Sequence, residues 1–393
     1  MLKVDTVFEP WTCRDVLAAY FSANERSVQV FRSAFGNYLG VDQGSVTFYK
    51  SAREGLTALL CAKFARNEGV VFCSAFNCSV VADAINNSGM KPAYFDVGRD
   101  GKFPWDEILY DVKRQKAAAI IIPHLFGVSA ATPNDLKTFK QAGITVIEDC
   151  SHTLGATVGG EMMGSIGDFA IFSFNYDKPI SLGGGGCVIN RSCVALDEPG
   201  VVSDRRDLFE LLIFRNYLFF RRCGHSKITL LAKLLRRSGR FIFWLLKRCR
   251  LSSTEMGFPV TGIGPVRATL GLRLLRGYES IRRVRNHNAR RLLGACSNDA
   301  WSANPNGEAA WVKLRLKLGD SATKTLSKEA LKRGLRVGNF NWPKPLGNSQ
   351  TPEARRWAFD GVDIPVHQYL TEEQLSWLEA KLVERTTNRI KDA

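Results

Sequence analysis

Between Ser45 and Asn190 short apolar runs alternate with helical patterns, and that alternation leaves few folds open. "SVTFYK" is followed by "SAREGLTALLCAKFARNEG", "VVFCSAF" by "SVVADAINNSG", and "AAAIIIPHLFG" by "NDLKTFKQAG", before "ITVIEDC" closes the series. Strands alternating with helices of about ten residues predict an α/β fold with a mostly parallel sheet covered by helices. In such sheets ligands bind outside the carboxyl ends of the strands. Three polar groups fall at such ends: Ser51 to Glu54, Asp149 to His152, and Ser173 to Lys178.

A length of 393 residues predicts two domains. We place a large domain over 1–260 and a smaller carboxy-terminal α+β domain over 261–393. The alternation breaks at about 204, where apolar and basic helical stretches run as an insert to about 255. A helix rich in Arg and Leu is expected from Val266 to Arg291. Another is expected over "LTEEQLSWLEAKLVERT", with Thr371 as its N-cap and acids in its first turn. The ten cysteines form no CxxC pair and have no His cluster beside them, so neither a metal site nor a disulfide framework is expected. The start "MLKVDTVFEPWTC" lacks a basic-then-apolar leader, and no apolar run of eighteen residues occurs, so a cytoplasmic protein is expected. Net charge is +16, but the eleven basic residues between Leu211 and Arg250, with no acid among them, supply +11 and leave +5 elsewhere. The basic balance is local, and nucleic-acid binding is not expected from it.

The stretch "FAIFSFNYDKPISLGGGGCVIN" sets a lone lysine, Lys178, in a turn between two apolar strands, with four glycines behind it. Such an amine, partly desolvated, can form a Schiff base with an aldehyde. Asp149 ends an apolar strand, where an unpaired carboxylate is expensive. It calls for a cation, either an arginine or the protonated ring nitrogen of a cofactor, unless it serves as an N-cap. The Ser173 hydroxyl and the first amides of the helix in "SAREG" suit a phosphate monoester. Each group alone reads as a solvated loop residue. Together they match the three handles of pyridoxal 5′-phosphate: aldehyde, pyridine nitrogen and phosphate.

The segment from Val146 to Asn190 resembles the core of the DegT/DnrJ/EryC1/StrS family of sugar aminotransferases, which have the aspartate-aminotransferase fold. The resemblance rests on an Asp with a His three residues on, a "GSIGDFAIFSF" run, and a Lys five residues after its Ser. "SAREGL", "GMKPAYFDV", "IIPHLFG", "TLGLRLL" and "DIPVHQYLTEEQL" extend it over most of the chain except about 195 to 255. It implies a three-layer pyridoxal-phosphate-dependent transferase fold. Lys178 would join the cofactor and shuttle the proton, Asp149 would pair with the pyridine nitrogen, and His152 would lie near the ring hydroxyl. Ser173 with Ser51, Ala52 and Arg53 would hold the phosphate. A lysine at 178, where the dehydratase branch of the family has histidine, implies amino transfer to a nucleotide-linked keto sugar. Glutamate as donor, a homodimer and a role in surface polysaccharide synthesis are implied in the same way. Ser51-Ala52-Arg53 replaces the family's Ser-Gly-Thr, substituting a guanidinium for a hydroxyl. Cys78 stands where an aromatic ring commonly stacks on the cofactor, leaving Phe76 as the candidate. Val260 to Ile263 replace an asparagine-containing segment that in relatives reaches the partner subunit. A glycine also stands where relatives often carry an acid in the glycine run.

Lys233, Arg236, Arg237, Arg240 and Lys247 recur at helical spacing among leucines, Phe241 and Trp244. Two readings stand: a basic helix on an anionic membrane surface, or a helical excursion packed on its own domain or on a partner. The altered phosphate turn and this insert also leave open other pyridoxal chemistry on sugars, or a catalytically silent scaffold.

Overall fold

A computed structural model of the protein describes residues 11–64, 69–200, 202–223, 261–296, 300–301, 307–339, 345–347 and 351–392. Among the described residues nine strands precede residue 191: β1 (Val46–Tyr49), β2 (Val70–Ser74), β3 (Lys91–Phe95), β4 (Ala119–Pro123), β5 (Thr145–Asp149), β6 (Thr157–Val158), β7 (Glu161–Met162), β8 (Phe169–Ser173) and β9 (Gly186–Asn190). Seven of them form one sheet in the order β1-β9-β8-β5-β4-β2-β3. The four links from β3 through β2, β4 and β5 to β8 are parallel. β9 runs antiparallel to both β8 and β1. Since β9 opposes both neighbours, β1 and β8 point the same way. The carboxyl ends that carry Ser51, Asp149 and Ser173 therefore share one edge of the sheet.

Successive residues of a strand face opposite sides, and here both sides are covered. Phe72, Ile120, Ile122, Val146 and Phe172 enter one core; Val71, Cys73, Ile121, Ile147 and Ile171 enter the other. Burial on both faces explains why these strands read as continuous apolar runs rather than alternating ones. The cover comes from α1 (Cys13–Ser22), α2 (Ser27–Leu39), α3 (Ala52–Phe64), α4 (Ser79–Asn87), α5 (Trp105–Arg114) and α6 (Pro133–Gln141). Thr12 and Thr132 each close a capping box with an aspartate three residues on, which sets the starts of α1 and α6.

Helix α7 (Asp204–Cys223) is the part of the basic insert that lies among the described residues; 224–260, including Lys233 to Lys247 and Val260, lie outside them. Helix α8 (Pro265–Gly294) begins with proline after Gly264, and spans slightly more than the expected Val266 to Arg291. It packs along α1 and α2, and Gly271 lets the Phe31 ring lie against its backbone. Arg267, buried at its first turn, bonds Asp207 at 2.8 Å, Glu210 at 3.3 Å and the carbonyl of Leu182 at 3.1 Å. One guanidinium thus ties α7 and α8 to the loop that follows Lys178.

The carboxy-terminal unit contains β10 (Gly307–Glu308), β11 (Lys313–Lys317), α9 (Asp320–Lys332), α10 (Pro352–Phe359), β12 (Gly361–Pro365) and α11 (Glu372–Asp392). β11 and β12 pair antiparallel, while β10 joins β6 and β7. The expected Thr371 cap forms: its Oγ1 accepts the Gln374 amide at 3.2 Å, and Gln374 Oε1 accepts the Thr371 amide at 3.1 Å.

Candidate functional site

Lys178 lies in the turn after β8, with its amide bonded to the Asn175 carbonyl at 3.2 Å. Its Nζ sits 2.8 Å from His152 Nε2 and 3.5 Å from Asp177 Oδ1. The other imidazole nitrogen, Nδ1, accepts the Phe126 amide at 3.2 Å. A neutral imidazole has one donor and one acceptor, so with Nδ1 accepting, its proton sits on Nε2, the nitrogen nearer Lys178. His152 stays neutral because burial, aided by the charges of Lys178 and Lys313, pushes its pKa well below the usual histidine range.

Phe126 makes this arrangement possible with a left-handed backbone, φ +60°, which is unusual for an aromatic residue. Its ring lies nearly parallel to the imidazole, with centroids 6.2 Å apart. Gly127 allows the carboxy-terminal unit to close on the turn, since a Cβ there would overlap the Ala310 carbonyl.

Asp149 ends β5, and its Oδ1 accepts the Ser151 amide at 3.1 Å. Among the described residues no cationic side chain forms an ion pair with it, so of the two partners expected for this carboxylate the arginine is not present there. Its neighbour Glu148 points to the other face and is fully buried. Burial would raise the Glu148 pKa, but His124 and the amides of Gly164, Ile166 and Gly167 outweigh it and hold the carboxyl lowered. His124, Glu148 and Cys150 lie close enough to share a metal ion. Within that trio His124 Nδ1 accepts the Ala130 amide at 3.0 Å, and the Glu148 oxygens accept the amides of Gly164, Ile166 and Gly167, so Glu148 holds the loop before β8.

At the start of α3, Ser51 Oγ accepts the Glu54 amide at 3.2 Å and so caps the helix. Arg53 Nε is buried without a hydrogen-bond partner, and the Ser173 hydroxyl makes no hydrogen bond among the described residues. The glycine run passes close to the start of α3: Gly185 donates to the Lys50 carbonyl at 2.8 Å, and a Cβ on Gly186 would overlap the Ala52 backbone. A donor set of helix amides, guanidinium and hydroxyl suits a phosphate, and the unpartnered Arg53 Nε is the observation that fits one best.

Phe76 is fully buried against Trp301, with ring centroids 5.1 Å apart, and lies 6.1 Å from Phe126. Phe126 stands between it and His152. Cys78 is half-buried at the start of α4, with its amide bonded to Asn77 Oδ1. Thr261, in the replaced segment, accepts the Lys50 amide at 2.8 Å within the same chain. Sequence reasoning missed Phe126 and Lys313. For Phe126 the available signal was an aromatic before a glycine at a strand end. "KLRLK" misleads, because its alternation reads as a solvent-facing polar side whereas Lys313 and Arg315 are buried.

Residues 8–198 match the DegT/DnrJ/EryC1/StrS aminotransferase family. The chain is 30% identical over 133 residues to GDP-perosamine synthase of Vibrio cholerae, covering 32% of this chain and 36% of the relative. It is 25% identical over 247 residues to protein MosB of Rhizobium meliloti, covering 57% and 47%. The matches thus span less than half the length of these relatives. Among solved structures, the aminotransferase TlmJ from Streptoalloteichus hindustanus superposes with TM-score 0.71 at 17% identity, over 99% of this chain and 100% of the other. Sugar aminotransferase CalS13 from Micromonospora echinospora gives 0.69 at 17%, over 98% and 100%. These likenesses establish the fold.

Proposed function

We infer, from the membership of residues 8–198 in the DegT/DnrJ/EryC1/StrS aminotransferase family, that the protein is a pyridoxal 5′-phosphate-dependent aminotransferase. It converts a nucleotide-linked keto sugar to an amino sugar, with glutamate as the amino donor. The observation that carries this is Lys178 Nζ at 2.8 Å from the buried, neutral His152, on the sheet edge that also holds Asp149 and Arg53. When bound, the cofactor supplies an electron sink for the carbon that gives up its proton. Asp149 would hold the proton of the pyridine nitrogen. Arg53, Ser173 and the first amides of α3 would hold the phosphate, with Ser51 and Ala52 shaping that turn. Lys178 supplies the amine and takes the substrate α-proton. His152 orients that amine through Nε2–H and stays uncharged beside it. The sugar substrate is supported by the name of the Vibrio cholerae relative. The reading extends to a homodimer in surface polysaccharide synthesis. Among the described residues no helix is long and apolar enough to cross a membrane.

Incubation with pyridoxal phosphate should give a visible absorbance band that Lys178→Ala removes. Glutamate should discharge the band, and a panel of nucleotide keto sugars should restore it. Failure of the wild-type protein to take up the cofactor would overturn the reading.

A further inference from the structure

Phe126 sets the proton on His152 with a backbone amide, and it does so at φ +60°, a conformation that a bulky residue keeps only where its surroundings over-determine it. Those surroundings come from the carboxy-terminal unit. Ala310 N–H donates to the Gly127 carbonyl at 2.8 Å and Val312 N–H to the Phe126 carbonyl at 3.0 Å, so residues 310 and 312 grip the turn. Groups of the same segment that do not meet the turn go to helix α8. Asn286, almost fully buried, accepts the Trp311 amide on Oδ1 at 3.1 Å and donates from Nδ2 to the Ala309 carbonyl. Arg282, one helical turn earlier, donates to the same Ala309 carbonyl at 3.3 Å, whereas the Trp311 amide goes to Asn286.

A continuous run of hydrogen bonds thus leads from α8 to the amine. It passes from Asn286 to residues 309 and 311, from 310 and 312 to Gly127 and Phe126, from the Phe126 amide to His152 Nδ1 at 3.2 Å, and from His152 Nε2 to Lys178 Nζ at 2.8 Å. A buried amide that satisfies its donor and its acceptor on one backbone segment fixes that segment, since a shift would leave both groups unpaired.

We propose that Asn286 is a positioning residue for the reaction: by clamping residues 309 and 311 it holds the Phe126 amide on His152 and so keeps Nε2 of the imidazole at Lys178. The part given to Lys178 in it rests on the aminotransferase reading.

The test follows His152 by nitrogen NMR of the full chain labelled at histidine, before cofactor is added, with His152→Gln assigning the signal. In wild type the proton should sit on Nε2, and no titration should occur above about pH 5.5. Asn286→Leu should free Nδ1 to take a proton and raise the titration midpoint by about one unit or more, with Lys178 and Lys313, the charged groups facing the imidazole, left as they are. Asn288→Leu is the control: Asn288 lies two residues on in the same helix and donates to the carbonyls of Val366 at 3.2 Å and His367 at 3.3 Å, so its loss should leave the His152 signal as in wild type. After loading with pyridoxal phosphate, the pH at which the visible band changes should move in Asn286→Leu and not in Asn288→Leu. A wild-type His152 that carries its proton on Nδ1, or that titrates near the ordinary value of about 6.5, overturns the assignment with no variant needed. So does an Asn286→Leu signal that matches wild type, or an Asn288→Leu signal that moves as far. Should Asn286→Leu not fold, Asn286→Ala is read by the same criteria. Failure of the wild-type protein to form the band would overturn the aminotransferase reading and leave the NMR result on Asn286 standing.

Discussion

His152 gives the most direct handle on the site because its charge state follows from its surroundings. Its folded pKa is depressed below the unfolded value of 6.5 by burial and two nearby lysines. Above pH 6.5 both states are neutral and the residue adds no pH dependence. As pH falls below 6.5 the unfolded chain takes up a proton that the folded chain refuses, so stability is lost. The slope approaches about 1.4 kcal/mol per pH unit. His152→Gln should flatten the stability profile below pH 6.5, as measured by chemical unfolding at a series of pH values; an unchanged slope would show that His152 is charged in the fold. Arg53 is the second residue-scale test. Its buried Nε awaits an acceptor, so Arg53→Gln should weaken pyridoxal-phosphate affinity by about tenfold or more in equilibrium dialysis. Lys178, Asp149 and Ser173 were legible as candidates from charged or polar side chains at the ends of apolar runs, and Arg53 was implied by the family resemblance. Phe126 was not, because its contribution is a backbone amide aimed by a left-handed φ, and side-chain identity does not encode that aim.

At the scale of elements, the hairpin from β8 to β9 positions the lysine; Gly183, Gly184 and Gly185 take positive φ, whereas Gly186 is required by distance. Gly186 passes the start of α3 so closely that a Cβ would strike the Ala52 backbone. Gly186→Ala should cost about 1–3 kcal/mol in chemical denaturation and also weaken cofactor binding, because the helix start that must yield is the proposed phosphate site. A stability loss with cofactor affinity unchanged would separate that glycine from the site. The alternation of strands and helices, the cap at Thr371, and the mostly parallel sheet were all visible in the chain. They depend on local periodicity and on hydrogen bonds between residues three apart. The inward turn of Lys313 and Arg315 was hidden, because the period-2 pattern marks two faces and does not say which one meets the core.

At the scale of the whole molecule, buried charges hold the units in place around the site. Arg267 joins α7, α8 and the loop after Lys178, and its removal takes from the buried Asp207 the guanidinium it bonds at 2.8 Å. Arg267→Met should cost about 3–5 kcal/mol, and adding Asp207→Asn should recover part of that loss rather than deepen it. Strict additivity in urea unfolding of the single and double variants would show that the two side chains do not act as a pair. The Asp363 cluster plays the corresponding part between β11 and β12.

The sequence by itself determined the α/β class, the strand ends that carry polar groups, and which of those groups are candidates for a cofactor site: an amine, a carboxylate and a hydroxyl beside a helix start. Hydrophobic periodicity and strand-end chemistry are local properties, read within about ten residues. Tertiary structure alone decided that these ends share one edge, because the directions of β1, β8 and β9 depend on pairing across 140 residues of chain, as in Val46 opposite Ile189. It also decided that Lys178 meets His152, that Phe126 turns its amide to the imidazole, and that a lysine from the far end of the chain stands beside them. Those contacts join residues from 26 to more than 180 positions apart, and only a packed core brings such distances down to hydrogen-bond and van der Waals range.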